Sequence, residues 1–274
     1  MAEMSVIWLR VAAALYSLGL VHAILTLVRR RGEHLFRIAL GAFGLASVFH
    51  FVSIVEEGIV SQRCPITNFY ETLSMCGFLL VLLYLFAHWR YRLESLSVFV
   101  FPLVFVAALV ATMGNPVTAW PSPAVRNIWL TVHIVLVLLG LAALLLAAIA
   151  SLVYLFQERE LKRKKQRKSN YRLPALGTLD DVISQAMAVG FVLITLAVIA
   201  GSTWGFIELK SGWLADPKIV ISFVTWGVYM ALVFLRTVAG WRGRKAAIMT
   251  VTVSAFAAIT WAAHARLGNL LFKS

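Results

Sequence analysis

His133 follows Trp129 by four residues and His264 follows Trp261 by three, so in a helix each imidazole shares a face with an indole. Between the two pairs lies GSTWGFIELKSGWLADPK, residues 201–218, which carries Trp204 and Trp213, Gly205 and Gly212, and Asp216 followed by Pro217. A neutral imidazole is a good axial ligand for iron, and tryptophan offers a large, rigid, apolar face. The glycines allow close backbone approach. Two imidazoles at one depth beside such faces make a bed for a flat iron porphyrin, a non-covalently held b-type haem. Tryptophans also form the aromatic belt of membrane proteins in general, and the residues by themselves leave both readings open.

The elements that position these residues are dictated by composition. Of 274 residues, 61% are hydrophobic and only 14% charged, far from the balance of a water-soluble domain. Apolar windows of about 20 residues, enough for a helix to cross ~30 Å of hydrocarbon, fall at 5–28, 35–55, 68–88, 95–113, 127–156, 180–203, 218–236 and 246–265. A transmembrane barrel would show segments of about ten residues alternating in and out, whereas these runs are apolar all round. The sequence therefore predicts an all-α polytopic membrane bundle of about eight transmembrane helices, forming one domain over 1–274. Residues 157–174 read as a basic linker, and 204–218 as a Trp-bearing loop on the opposite side.

The net charge of +13 raises nucleic acid as a partner, but the basic residues are distributed by loop. Arg29, Arg30, Arg31 and Arg37 lie in the first connection, Arg90 and Arg92 in the third, eight bases from Arg159 to Arg172 in the fifth, and Arg236, Arg242, Arg244 and Lys245 in the seventh. That is the asymmetry of a topology signal, not of a nucleic-acid surface. It places those connections in the cytoplasm and both termini outside, as in a multi-pass protein of the cell inner membrane. The run RELKRKKQRK, 159–168, also suits anionic lipid head groups. Glu3 before the first apolar run and the arginines after it reverse the charge order of a cleavable signal, so that run is kept as the first helix.

With this topology His133 and His264 share the outward depth. His34 and His88 fall among arginines at cytoplasmic helix ends, and His22 near the inner end of the first helix, where head-group contact and packing account for them. His50, in the outer half of the second helix, is left between packing and a share in cofactor binding. Arg63, Arg126, Lys210, Lys218 and Arg266 are outward cations suited to porphyrin carboxylates. Asp216 suits the positive start of the next helix, with Pro217 in its first turn. Cys64 and Cys76 form no CxxC pair or haem-attachment motif, and no Ser-His-Asp set, metalloprotease helix or phosphate loop is present. The residues thus carry no catalytic site of their own.

The stretch from Trp204 and Trp213 to Asp216, Pro217 and Lys218, together with RCPITNFYETLSM at 63–75 and NIWLTVHIVLVLLGLAALLLA at 127–147, resembles the haem-handling membrane proteins of cytochrome c assembly. The 204–218 stretch is similar to that family's WWD loop, with Leu209 and Ala215 at positions of usual tryptophans. The likeness runs from about residue 45 to 264 and is greatest to the smaller HemX-like and YpjD-like branch. It implies His133 and His264 as external haem ligands, with Trp204, Trp213, Trp129, Trp261, Asp216 and Arg126 around the cofactor. It also implies an apocytochrome c or other assembly subunits as partners. The helix after the Trp-bearing loop, 218–236, has no histidine, unlike that of some members. A haem-free accessory or regulatory subunit is the alternative from another class. A small-molecule transporter fits less well, because Asp and Glu lie almost entirely at helix ends.

The topology is open to a direct test. A fluorescent protein that matures only in the cytoplasm should be bright when inserted at 157–174 and dark when fused after Ser274; the opposite pattern would overturn the assigned orientation.

Overall fold

The computed structural model describes residues 2–28, 33–61, 64–66, 68–114, 128–163, 174–208 and 217–271, with side chains beyond Thr260 outside that description. Among the described residues there are eight α-helices and no strand: α1 (Ala2–Val28), α2 (Glu33–Ser61), α3 (Phe69–Tyr91), α4 (Ser97–Ala111), α5 (Ile128–Lys162), α6 (Leu176–Glu208), α7 (Pro217–Thr237) and α8 (Gly243–Leu271). Seven of them, all but α8, hold described stretches long and apolar enough to cross a membrane. The chain is a polytopic helical membrane protein.

The helices divide into two compact units. The first comprises Met1–Val125 with Glu160–Thr178, the second Arg126–Arg159 with Leu179–Ser274. In the first, α1 to α4 pack around Tyr16, Phe43, Tyr84 and Phe101, all fully buried. Phe43 stacks on Phe101 with ring centroids 3.6 Å apart, while Tyr16 and Tyr84 meet those rings at 4.9 and 5.3 Å. Gly19 makes room for Phe43, since a Cβ there would lie 2.5 Å from the ring. Helix α3 is punctuated at both ends. Asn68 Oδ1 accepts from the Glu71 N–H at 2.8 Å, and Arg92, in the left-handed region at φ 53°, donates its N–H to the His88 carbonyl at 2.7 Å.

The second unit is held by close backbone approach and by polar links. Gly140 of α5 and Gly190 of α6 face each other, and a Cβ on either would lie 3.2 Å from the other's carbonyl oxygen. Small residues at such crossings replace the hydrophobic drive that hydrocarbon cannot supply. Tyr229 Oη donates to the Met187 carbonyl at 2.7 Å, and Trp226 Nε1 donates to Thr195 Oγ1 at 3.0 Å, tying α7 to α6. Thr225 and Thr260 hydroxyls meet at 3.1 Å between α7 and α8. Ser254 Oγ donates to the Leu144 carbonyl at 3.3 Å, linking α8 to α5.

One end of this unit is knotted by charge. Arg236 Nη2 lies 2.7 Å from Asp180 Oδ1, and Arg236 Nε donates to Ser184 Oγ at 3.0 Å. The same carboxylate oxygen lies 3.4 Å from the Gly243 N–H at the start of α8, so one acid joins α6, α7 and α8. Removing one member of a buried pair leaves the other uncompensated. Arg236→Ala should therefore lower stability by about 3–5 kcal/mol, visible as a lower thermal midpoint in detergent, whereas Arg242→Ala on the exposed connection should leave it within about 0.5 kcal/mol.

Candidate functional site

Helix α6 runs further than its apolar window suggests. It continues through Gly201, Ser202, Thr203 and Trp204 to Glu208, so Trp204 stands on a helix and not in the loop expected over 204–218. No proline interrupts it, and the Thr203 hydroxyl is satisfied within the helix by the Ile199 carbonyl at 2.9 Å. Helix α7 then starts at Pro217, the favoured residue for a first helical turn.

Where α5, α6 and α7 converge there is a cavity of about 170 Å³. Leu130 and His133 of α5 form one wall, Gly201, Trp204 and Gly205 of α6 a second, and Ile219, Ser222 and Phe223 of α7 a third. His133 and Trp204, distant in sequence, thus meet across an apolar space. Trp204 Nε1 is buried and has no hydrogen-bond partner among the described residues. Trp129 lies one turn from His133 on α5 and is 49% exposed.

His133 is fixed by α6. Its Nδ1 lies 2.7 Å from the Ala197 carbonyl oxygen. A carbonyl only accepts, so Nδ1 carries the proton and the lone pair of the neutral ring is on Nε2. The ring also lies against Gly201, where a Cβ would be 2.7 Å from both Nδ1 and Cε1.

Backbone register bears on the second histidine. Helices α5 and α8 touch where Ser254 Oγ meets the Leu144 carbonyl. His133 is eleven residues from that contact and position 264 ten residues, hence about 16 and 15 Å along their antiparallel helices at ~1.5 Å per residue. Position 264 is also one turn beyond Thr260, which touches Thr225 of α7. The side chains of His264 and Trp261, and all of Arg126, Trp213 and Asp216, lie outside the described residues.

His50 belongs to the first unit and is fully buried. Its Nε2 is 2.8 Å from Ser74 Oγ and its Nδ1 3.3 Å from Tyr16 Oη, with the Phe78 ring edge-on at 5.6 Å. Ser74 also lines a small cavity of about 30 Å³, together with Ser5, Ser53, Glu57, Asn68, Glu71 and apolar residues such as Val6 and Leu9.

The fit to a metal cofactor is decided by donor count. No group of three or more His, Cys, Asp or Glu able to hold a bare ion occurs among the described residues. A metal already held in a macrocycle would need fewer protein donors, and an imidazole lining one cavity with an indole and a phenyl ring is compatible with that chemistry. Sequence reading missed Gly201 and the Ala197 carbonyl. The signal was there in Ala197, Gly201 and Gly205, small residues four apart on one face of α6.

The fold and site define a multi-pass helical membrane protein with a histidine and a tryptophan facing a common apolar cavity. Residues 66–262 match the family model described as cytochrome C assembly protein, and the chain belongs to that family. It is similar to proteins named cytochrome c biogenesis protein CcsA. That of Heterosigma akashiwo is 25% identical over 220 residues, covering 68% of each chain. That of Prochlorococcus marinus strain MIT 9303 is 27% identical over 236 residues, covering 76% of this chain and 74% of the relative. That of Chlorella vulgaris is 24% identical over 242 residues, covering 77% of both.

Proposed function

We propose that this protein serves cytochrome c biogenesis by holding a non-covalent b-type haem at the outer face of the cell inner membrane and presenting it to an apocytochrome c or to other assembly subunits. The observation that carries the reading is His133, whose Nδ1–H is committed to the Ala197 carbonyl while the ring lines an apolar cavity shared with Trp204. In this reading His133 and His264 would hold the iron, and Trp204, Trp213, Trp129 and Trp261 would supply aromatic surface to the macrocycle. Asp216 and Arg126 are assigned to the same cofactor, Arg126 as a partner for a porphyrin carboxylate. The matched register of positions 133 and 264 supports this pairing.

Held by two histidines, the cofactor would supply an iron disfavoured from reaction with oxygen, which suits a carrier. The chain's own part is to bind and orient. The cavity, about 170 Å³, is below the roughly 300 Å³ of an enclosing small-molecule pocket, and it suits one edge of a flat ligand that must leave again. No catalytic residue is assigned; attachment chemistry belongs to the acceptor's thiols and the partner. The basic residues from Arg159 to Arg172 hold anionic lipid on the cytoplasmic side. His50, with its ring between Tyr16 and Ser74, is read as a packing node of the first unit.

The second reading, a haem-free accessory subunit, draws on Leu209 and Ala215 in place of motif tryptophans. Purification separates the two. A haem carrier should be red, with a Soret band that His133→Ala and His264→Ala each weaken, and with affinity lowered about tenfold or more as expected for lost ligation. A protein that stays colourless on haem addition favours the accessory subunit.

A further inference from the structure

We infer that Gly201 and the Ala197 carbonyl act together as a positioning device that sets the tautomer of His133 and holds its Nε2 lone pair ready as a ligand. The inference rests on the haem-holding reading and adds to it two residues with no side-chain chemistry of their own.

In an α-helix the carbonyl of residue i accepts from the N–H of residue i+4, and the Cβ of that residue leans back towards the helix N-terminus. The side chain at i+4 therefore shields the carbonyl at i from a lateral donor. For Ala197 the residue four on is Gly201, and nothing shields it. The second lone pair of the Ala197 oxygen is open to α5, and His133 Nδ1 takes it at 2.7 Å.

The space is filled by the imidazole itself. A Cβ at 201 would sit 2.7 Å from Nδ1, 2.7 Å from Cε1 and 3.4 Å from Cγ of His133. Ordinary carbon contacts are about 3.5–4.0 Å, so the ring would have to retreat by roughly 0.8 Å or more, enough to break its bond to Ala197. Glycine is the poorest ordinary helix former after proline. Its presence within α6 is accounted for by this ring. The helix glycine Gly227 of α7, by contrast, would find nothing within 4 Å of a Cβ.

The consequence is chemical. With Nδ1–H bound to a carbonyl, the tautomer and ring orientation are fixed, and electron density at Nε2 rises, making it a better donor to a metal. A histidine free to rotate would offer either nitrogen in either tautomer. Helix α6 thus removes the choice before any ligand arrives.

The test uses the full-length protein in lipid nanodiscs, with histidine ring ¹⁵N labels and the His133 signals identified by their loss in His133→Gln. Without haem, wild type should show Nδ1 protonated and Nε2 unprotonated, and Gly201→Ala should lose that state while Gly227→Ala keeps it. With ferric protoporphyrin IX as the probe, Gly201→Ala should lower affinity at least tenfold and lose the low-spin signal in electron paramagnetic resonance. Its helix content by circular dichroism should match that of Gly227→Ala, since alanine favours helix at both sites. A wild-type His133 protonated on Nε2 overturns the inference, and this arm needs no variant to fold. So does a Gly201→Ala protein with unchanged tautomer and spectrum. A wild type with the fixed tautomer that binds no porphyrin overturns the haem reading instead, and leaves the tautomer lock in place.

Discussion

A bilayer offers no water to a stranded polar atom, and that constraint organises the rest of this molecule. Every hydroxyl, imidazole or guanidinium placed between the helices must find its partner inside the protein or carry a penalty of several kcal/mol. The serines and threonines answer locally, as Ser151 and Thr250 do by donating to carbonyls four residues back. The larger groups reach across. Tyr229, Trp226, His133 and Arg236 each take a partner on another helix, and those links tie α5 and α7 to α6.

The two units answer the constraint in different ways. The first packs aromatic rings around Phe43 and Phe101 and keeps its buried His50 between two hydroxyls, each able to donate or accept. Such a site tolerates either neutral tautomer. The second gives His133 a carbonyl, which accepts only. Two histidines of the membrane helices thus have opposite freedoms, and the difference lies in the partner atom, not in the imidazole.

The same contrast links packing to function. Close approach of α5 and α6 at Gly140 and Gly190 brings the α5 face near enough for His133 to reach the α6 backbone. Were the helices separated by larger side chains, the ring would have no carbonyl to bind. Association by small residues, the general means of joining helices in lipid, here also sets the chemistry of a ligand. The knot of Asp180, Arg236 and the start of α8 secures the far end of the same unit, so that the register along α5, α6 and α8 is held from both sides.

Much of this was determined by sequence alone. Apolar runs of spanning length fix the membrane class and the helices, because hydrocarbon admits almost nothing else, and the residues resembling the cytochrome c assembly family are contiguous enough to be recognised without coordinates. His133 and Trp204 could be named as candidates because an imidazole and an indole are conspicuous in an apolar chain. That Trp204 stands on α6 could not be read so easily, since polar residues near a membrane face suit a helix end as well as a loop. Nor could the parts played by Gly201 and Ala197: a glycine without a neighbour and a backbone carbonyl look alike everywhere in a sequence. Only the packing of α5 on α6 decided which glycine leaves space, which carbonyl is uncovered, and therefore which nitrogen of His133 keeps its lone pair.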